Sequence, residues 1–410
     1  METITPKYMI HSFSCKNFYS FNDLTTVSFV VNDKAPNNNG YFNTPAEERL
    51  SKIETVIGSN ASGKTNLLKI LPFLKWLIND SFVEKPSDLL PMKPFLFGES
   101  KNKPSELSAD FEINGDIFTY KFILTEKKII YEELKIKNKT NQKVTSKKIF
   151  SREWNDTENK YILDDKNFNL PKDFEKLLRT NASVISTAIR LNHKESLDIL
   201  KFWQKVETNV VEPGWVGDHM PRGFGLLEAL DFYSESKNET LKKEAEKLLS
   251  QFDLGLESFD ITKEKKNNEM SINVKVAHSF SGHVEYLPIQ YESSGTRQLF
   301  VLLKTILLVL DNGGVAVLDE FDVNLHPEMV LTLLDLFIQP ETNPHNAQIL
   351  FSSHSHRVLS KLDKYQIVLI EKNNSGESES WRLDDVSGVR ADDNYYSKYI
   401  AGAYGAVPNF

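Results

Sequence analysis

The stretch that decides the fold is GSNASGKT, at residues 58–65. It fits the pattern G-x-x-x-x-G-K-[ST], in which the glycines let the backbone curl so that successive N–H groups face a phosphate. A short β-rich run, Ile53–Ile57, precedes it and ends at the glycine, and helical apolar spacing follows over residues 65–78. In this strand–loop–helix order the start of the helix adds a partial positive charge to the loop. We therefore expect a nucleotide to bind at this point of the chain.

The residues of this loop have different expected roles. Lys64 is expected to reach the β- and γ-phosphates of ATP, and the Thr65 hydroxyl to ligate Mg²⁺. The other positions expected to contact the nucleotide are Gly58, Ser59, Asn60, Ala61, Ser62, Gly63 and Asn66. Pro72 should end or kink the helix that follows, because proline has no N–H to donate within a helix.

The apolar run VAVL, at residues 315–318, is followed by two acids, Asp319 and Glu320. A strand of a parallel sheet would present both carboxylates at its C-terminal end, beside the phosphate loop. Asp319 would then hold Mg²⁺, directly or through water, and Glu320 would polarise the attacking water. The alternative is an ordinary boundary between a strand and a turn, and it is the presence of the other motifs that favours the functional interpretation.

A third feature, ESSGTRQ at residues 292–298, lies one helix length before the acidic strand. Ser294-Gly295 at a helix N-terminus would form a second anion site. One nucleotide does not need two such sites in one subunit. Two facing subunits do, because each would offer its phosphate loop to one side of ATP and its Ser-Gly helix to the other. The alternative is that Ser294 is a simple N-cap.

His354 follows the run QILFSS and lies where a histidine would contact the γ-phosphate. His354 and His356 also leave open a metal site, with His326 as the third ligand. Asp322 lies just after the acidic pair. It would either transmit a signal across a contact between subunits or cap the helix ahead of Pro327.

Composition limits the remaining possibilities. The 410 residues carry 49 Lys and Arg against 57 Asp and Glu, a formal net charge of −8, so the bulk charge does not call for a polyanionic partner. The single cysteine, Cys15, excludes an intrachain disulfide and a cysteine-ligated zinc site. The longest apolar run, residues 299–310, is too short to span a bilayer and contains Lys304. We expect a reducing, cytoplasm-like compartment and no membrane partner.

The coarse pattern predicts an α/β fold with a mostly parallel core sheet. Residues 107–149 alternate like an antiparallel meander of three or four strands, with a hairpin turn at Asn114-Gly115. Residues 174–254 are mainly helical, and the final third alternates helix and strand. The expected division is an N-terminal lobe at 1–165, a helical insertion at 166–260 and a C-terminal lobe at 261–410. Six lysines of the meander form either a solvated strand face or a nucleic-acid contact, and these are Lys135, Lys137, Lys139, Lys143, Lys147 and Lys148.

At this point the sequence resembles a known group. The segments 58–66, SSGT at 293–296, LDE at 318–320, LHP at 325–327 and SHS at 353–355 are similar to ABC-type ATPase heads of the SMC, RecF and OLD class. The stretches KNFYSFND at 16–23 and YSKYIAGAYGAVP at 396–408 resemble the RloA/AbiL-type AAA ATPases of bacterial restriction-linked and abortive-infection loci.

The resemblance implies an ABC-type P-loop ATPase head that dimerises through ATP and uses Mg²⁺. It also implies that ATP binding or hydrolysis gates a partner effector in anti-phage defence. Only about fifty residues follow His354, fewer than a TOPRIM nuclease domain needs, so the expected effector is a nuclease supplied in trans. Two alternatives remain: a RecF-like DNA-binding ATPase of DNA repair or chromosome maintenance, contacting DNA through the lysine strands, and a small-molecule kinase.

Overall fold

The computed structural model describes residues 5–140, 143–215, 224–252, 255–266 and 269–407. Within these ranges a six-stranded sheet forms the centre of the fold. Its spatial order is β11 (Val206–Thr208), β15 (Val315–Leu318), β16 (Gln348–Ser352), β5 (Ile53–Ile57), β17 (Ile367–Lys372) and β18 (Ser378–Arg382). Every neighbouring pair is parallel except β17 and β18. The prediction of an α/β fold with a mostly parallel core sheet is therefore confirmed.

The second large sheet is antiparallel throughout. Its order is β10 (Lys160–Asp164), β9 (Lys143–Asn155), β8 (Ile129–Thr140), β7 (Asp116–Leu124), β6 (Ser105–Ile113), β1 (Tyr8–Lys16) and β2 (Thr25–Ser28). The predicted meander of three or four strands is thus too small, because five consecutive strands form it and the two N-terminal strands join it. Asn114 and Gly115 both have positive φ, 51° and 95°, as the predicted tight hairpin turn requires.

Two smaller sheets complete the strands. One pairs β12 (Leu256–Lys266), β13 (Glu269–Phe280) and β14 (His283–Pro288), and the other pairs β3 (Tyr41–Asn43) with β4 (Arg49–Ser51). Of these five strands, the sequence pattern predicts β13, from the run at residues 271–276. All residues of β14 but the last are exposed, so no alternation of burial marks that strand.

The helices lie on both faces of the parallel sheet. They are α1 (Lys64–Leu68), α2 (Ile70–Asn79), α3 (Val184–Ile189), α4 (Lys194–Gln204), α5 (Phe224–Ser234), α6 (Glu239–Gln251), α7 (Ser294–Asn312), α8 (Pro327–Ile338) and α9 (Tyr395–Ile400). The predicted interruption by Pro72 appears as the break between α1 and α2. Pro72 has no N–H for the carbonyl of Leu68, and the chain resumes its helix at Ile70.

The parallel sheet is buried on both faces, and alternate residues of one strand enter different cores. Val56 packs towards α2–α4 and the antiparallel sheet, whereas Ile57 packs towards α5–α8. The residues of the predicted helical insertion are divided in the same way: α3 and α4 join the first core, and α5 and α6 join the second. In addition, β11 from this stretch pairs with β15 at the sheet edge. The domain boundaries stay a prediction.

A glutamine joins the two large sheets. The Gln348 side chain donates to the carbonyls of Ile10 (3.0 Å) and Ser51 (3.2 Å) and accepts from the N–H of Ile10 (2.8 Å). Ile10 lies at a bulge in β1, where the ladder with β6 shifts register. The side-chain amide therefore provides hydrogen-bond partners for both backbone groups of Ile10.

Glu54 is a buried carboxyl group in the middle strand of the parallel sheet. Its exposed fraction is 0%, and neither carboxylate oxygen has a hydrogen-bond partner among the described residues. Burial raises the pKa of Glu54 well above its usual value, although Arg382 opposes the shift. The folded protein therefore keeps this proton at a pH where the unfolded chain, with a pKa of about 4.3, has released it.

This difference predicts a pH-dependent stability. As the pH rises above the unfolded pKa towards the raised folded pKa, the free energy of unfolding should fall by up to about 1.4 kcal/mol per pH unit. We expect Glu54→Met to stabilise the protein at pH 7 by about 1–3 kcal/mol and to reduce that slope. Urea unfolding between pH 5 and 8 measures both effects, and Glu341→Met, at an exposed loop position, is the matched control. A Glu54→Met protein less stable than wild type at pH 7 would mean that an ionised Glu54 stabilises the fold through Arg382.

Candidate nucleotide site

The backbone conformation of the phosphate loop is constrained by the strands that pack against it. It connects β5 to α1, with Ala61 (φ 62°) and Gly63 (φ 115°) in the left-handed region. A Cβ atom on Gly63 would lie 2.3 Å from the Ser378 hydroxyl, and one on Gly58 would lie 2.1 Å from the carbonyl oxygen of Ile370. Both glycines are therefore required by close packing against β17 and β18, in addition to backbone freedom.

Lys64 lies inside this loop. Its ammonium group donates to the carbonyls of Gly58 (2.9 Å) and Ser59 (3.0 Å), and the side chain is buried. Burial lowers the pKa of Lys64, while the nearby carboxylates of Asp319 and Glu320 favour its charged form. The loop thus holds a cation where a phosphate would be bound.

The two acids lie at the end of β15, as predicted, and hydrogen bonds hold them from both sides. Asp319 accepts from the Ser352 hydroxyl (2.5 Å), and the same hydroxyl oxygen accepts from the N–H of Glu320 (2.8 Å). On the other side, the amide of Asn209 donates to the Asp319 carbonyl (2.9 Å) and accepts from the Asp319 N–H (2.7 Å). Asn209 and Ser352 were not among the predicted site residues, because their role depends on neighbouring strands.

Glu320 adopts a left-handed backbone conformation, with φ of 50°. This conformation is uncommon for a residue with a side chain and persists where the surroundings impose it. Its side chain is exposed and lines a cavity shared with the phosphate loop. A carboxylate in such a position can accept a proton from a water molecule.

Asp322 connects the acidic segment to the histidine loop. Its carboxylate accepts from the N–H groups of His354 (3.1 Å) and Ser355 (2.6 Å). The alternative that Asp322 caps the following helix is wrong, because His326 is the N-cap of α8 and accepts from the N–H of Glu328. The Asp322 contact fixes the backbone of the loop that carries His354, and the His354 side chain is left exposed in the cavity.

The metal alternative based on His354 and His356 gains no support. Within the part of the chain that the structure describes, no three His, Cys, Asp or Glu side chains are grouped to bind a metal ion. His356 is half-buried, its ring lies 4.8 Å from that of Tyr399, and burial lowers its pKa.

Most of the predicted residues meet in one cavity of about 700 Å³, a size typical of small-molecule sites. The predicted loop residues Gly58, Ser59 and Ser62 are not part of its lining. The residues that line it are Asn60, Ala61, Gly63, Lys64, Thr65, Asn66, Asp319, Glu320, His354 and Lys372. Oxygen groups of Thr65 and Asp319 are the kind of ligand that Mg²⁺ takes together with phosphate and water. The residues present therefore fit a magnesium-bound nucleotide. Lys372 was missed, since a lysine at a strand end has no local signal.

Ser294 and Gly295 are outside this cavity lining. α7 begins at Ser294, but its N-cap is Ser293, whose hydroxyl accepts from the N–H of Thr296 (3.0 Å). The alternative that Ser294 is the cap is therefore wrong by one residue. The Ser294 side chain is exposed, and Gly295 packs so closely that a Cβ atom would lie 2.6 Å from the carbonyl oxygen of Asn324.

Three of the six lysines on the lysine-rich strand face form ion pairs with acids. Lys135 pairs with Glu133 (2.6 Å), Lys137 with Asp110 (2.5 Å) and Lys148 with Asp164 (2.6 Å). Lys147 is exposed, and the side chains of Lys139 and Lys143 lie outside the described residues. A lysine that is already paired with an acid releases few counterions when it contacts a nucleic-acid phosphate. These three ion pairs therefore disfavour nucleic-acid binding at this face.

A family model of known proteins matches most of the chain. The family model AAA_21, described as "AAA domain, putative AbiEii toxin, Type IV TA system", matches residues 55–360. No curated protein sequence matches the chain. No helix in the described ranges has the length and apolar character to cross a membrane.

Solved structures that match include three SMC heads. An SMC head bound to the C-winged helix domain of ScpA has 14% identity and a TM-score of 0.48, over 93% of this chain and 99% of that chain. The SMC head domain from Thermotoga maritima has 15% identity and a TM-score of 0.42, over 91% and 98%. The SMC head domain with a coiled coil and joint from Pyrococcus yayanosii has 12% identity and a TM-score of 0.46, over 97% and 99%.

Proposed function

The chain belongs to the AAA_21 family of AAA domains, and from this membership we propose that it is an ATPase that dimerises through ATP and gates a partner effector. ATP with Mg²⁺ would bind in the 700 Å³ cavity. Lys64 and the loop N–H groups would hold its phosphates, and Thr65 and Asp319 would hold the metal ion. Glu320 would accept a proton from the attacking water, and His354 would contact the γ-phosphate.

The observation that carries this proposal is the meeting of three separate segments in one cavity. The phosphate loop, the acidic pair and His354 are far apart in sequence, yet all line the same space at the carboxyl ends of parallel strands. This edge of an open α/β sheet is where such folds bind ligands. The positive loop and the two carboxylates have the charges that a phosphate and its metal ion require.

The dimer is proposed from the position of Ser294, which is exposed, and of Gly295, which is half-buried beside it. They begin α7, a helix of 19 residues, and lie outside the cavity of their own chain. Free N–H groups at a helix start and an exposed hydroxyl suit an anion supplied by another molecule. A second copy of this chain, with ATP in its phosphate loop, supplies that anion, so two composite sites would form per dimer.

The effector role is proposed from resemblance to other proteins. The family description names a toxin and a type IV toxin–antitoxin system, and the segments at 16–23 and 396–408 resemble RloA/AbiL-type ATPases. We propose a cytoplasmic role in anti-phage defence, with a nuclease supplied in trans as the effector. DNA repair through direct DNA contact is the less favoured function, because acids pair with three of the four lysines of this strand face whose side chains the structure describes.

Light scattering and phosphate release test the ATPase proposal on the wild-type chain. We expect a monomer without nucleotide or with ADP, and a dimer of twice the mass with ATP and Mg²⁺. Phosphate release should rise with the square of the protein concentration where dimers are scarce, because two chains form each site. Hydrolysis at a constant rate per chain, with no ATP-dependent dimer, would contradict the proposal.

Purification from the native host tests the effector. A second polypeptide that co-purifies at a fixed ratio is expected if this chain gates a partner. Steeply salt-dependent affinity of the isolated chain for duplex DNA, without such a partner, would instead favour the DNA-repair function.

A further inference from the structure

Lys372 lines the nucleotide cavity but belongs to none of the motifs that predicted it. It is the last residue of β17, and its side chain is exposed. Because β17 runs parallel to β5, its carboxyl end lies at the same sheet edge as the phosphate loop.

The strand order places Lys372 on the opposite side of the loop from the hydrolytic residues. Glu320 and His354 follow β15 and β16, which lie on one side of β5, whereas β17 lies on the other. Neighbouring strands are about 4.8 Å apart, so three spacings, roughly 14 Å, separate the end of β15 from the end of β17. A nucleotide whose terminal phosphate lies beside Glu320 therefore extends across the loop towards Lys372.

The position of Lys372 relative to the loop is held by hydrogen bonds. The Ser378 hydroxyl, on the strand paired with β17, donates to the carbonyl of Ser62 (2.6 Å) and lies 2.8 Å from the Ser20 hydroxyl. Asn66, at the start of α1, donates to the same Ser20 hydroxyl (2.9 Å). Residue 372 pairs with residue 378 across the two strands. The backbone of Lys372 is therefore held next to the phosphate loop, because its partner Ser378 is bonded to that loop.

The carboxylates near Lys372 in sequence accept hydrogen bonds from amide groups. Glu371 accepts from the N–H of Ala406 (2.8 Å), Glu377 from the amide of Asn22 (2.9 Å) and Glu379 from the amide of Asn373 (2.7 Å). Among the described residues none of these carboxylates forms an ion pair with Lys372, so its ammonium group is available to an anion in the cavity.

We propose that Lys372 binds the α-phosphate of the nucleotide, at the end of the phosphate chain that is not cleaved. This inference rests on the proposed function, since it needs a nucleoside triphosphate in the cavity. Lys64 would interact with the phosphates that change on hydrolysis, whereas Lys372 contacts a group that ATP and ADP share. Lys372 therefore stabilises the bound nucleotide equally in the ground state and in the transition state.

Calorimetric titration of ATP and ADP, with Mg²⁺, into the wild type, Lys372→Gln and Lys372→Arg tests this assignment. We expect Lys372→Gln to raise the Kd for ATP and the Kd for ADP by the same factor, on the order of tenfold, because one charged contact is lost. The kcat should stay unchanged while KM rises. Lys372→Arg should keep both Kd values near wild type. Lys101→Gln, at an exposed position of the 3-10 helix at residues 100–102 and outside the cavity lining, should change neither.

Each other outcome overturns the inference. Weaker binding of ATP alone would assign Lys372 to the γ-phosphate, and a lower kcat with unchanged Kd values would assign it to the transition state. Equal losses in the glutamine and arginine variants, with thermal unfolding as in the wild type, would show that the charge is not what matters. If wild-type protein binds neither nucleotide, the proposed function itself fails. If the wild type binds both and Lys372→Gln matches it, only the assignment of Lys372 fails.

Discussion

Replacing Glu320 by glutamine is expected to lower the kcat for ATP hydrolysis by about 10²- to 10⁴-fold while leaving ATP affinity within a few-fold of wild type. A positioned general base contributes a factor of this size, and the amide cannot accept the proton. The substitution keeps the shape of the side chain. The hydrogen bond from the Glu320 N–H to Ser352, which holds the turn, involves the backbone alone and should survive.

The same variant should accumulate the ATP-bound dimer. If hydrolysis normally ends the dimer, a chain that binds ATP without cleaving it keeps the two copies together. Phosphate release gives the kcat, and light scattering with ATP and Mg²⁺ gives the dimer fraction. Glu328→Gln is the matched control, since Glu328 is exposed at the start of α8 and outside the cavity lining. A Glu320→Gln protein with full activity would remove Glu320 from the role of base.

Replacing Ser294 by arginine is expected to abolish hydrolysis, by at least about 100-fold, while the isolated chain keeps its affinity for ATP. Ser294 is exposed and is not the N-cap, so a larger side chain should leave the fold intact. The arginine would instead obstruct the surface that a second copy must approach. Ser360→Arg places the same side chain at another exposed serine, and this control should hydrolyse ATP normally.

Mixing two inactive variants distinguishes a shared site from a site within one chain. Ser294→Arg keeps an intact phosphate loop, and Lys64→Gln keeps an intact Ser-Gly helix. A dimer of one copy of each contains one complete composite site, so an equimolar mixture should recover up to about a quarter of the wild-type rate. A Ser294→Arg protein that hydrolyses ATP alone would rule out the trans arrangement. A mixture that forms dimers but stays inactive would contradict it as well.

The central strands and the phosphate loop could be predicted because their signals are local. β5 and β15 appear at the predicted residues, since a short run of buried side chains ends in each case at a glycine or an acid. The break at Pro72 and the turn at Asn114-Gly115 also follow from the chemistry of single residues. In each of these cases the information needed lies within a few positions of the residue concerned.

What could not be predicted depends on strand order. Three-residue β11 is too short to show a period, and it is recognisable only by its pairing with β15. Asn209 contacts Asp319 across that pairing, and Asp322 contacts His354 across 32 positions of sequence. Lys372 enters the cavity because β17 lies beside β5. Each contact joins residues that only the assembled sheet brings together.

The location of β5 between β16 and β17 has a consequence during synthesis of the chain. Roughly 300 residues separate this wholly buried strand from β16 in sequence, and a ribosome adds about 5–20 residues per second. For roughly 15–60 s the nascent chain therefore exposes a strand that is wholly buried in the folded protein and whose neighbours have not yet been made. We expect chaperones to bind it in that interval, and slower translation of the second half of the message to lower the yield of native protein. The phosphate loop attached to this strand packs against β17 and β18, so we expect it to reach its folded geometry only after residue 382 has been translated.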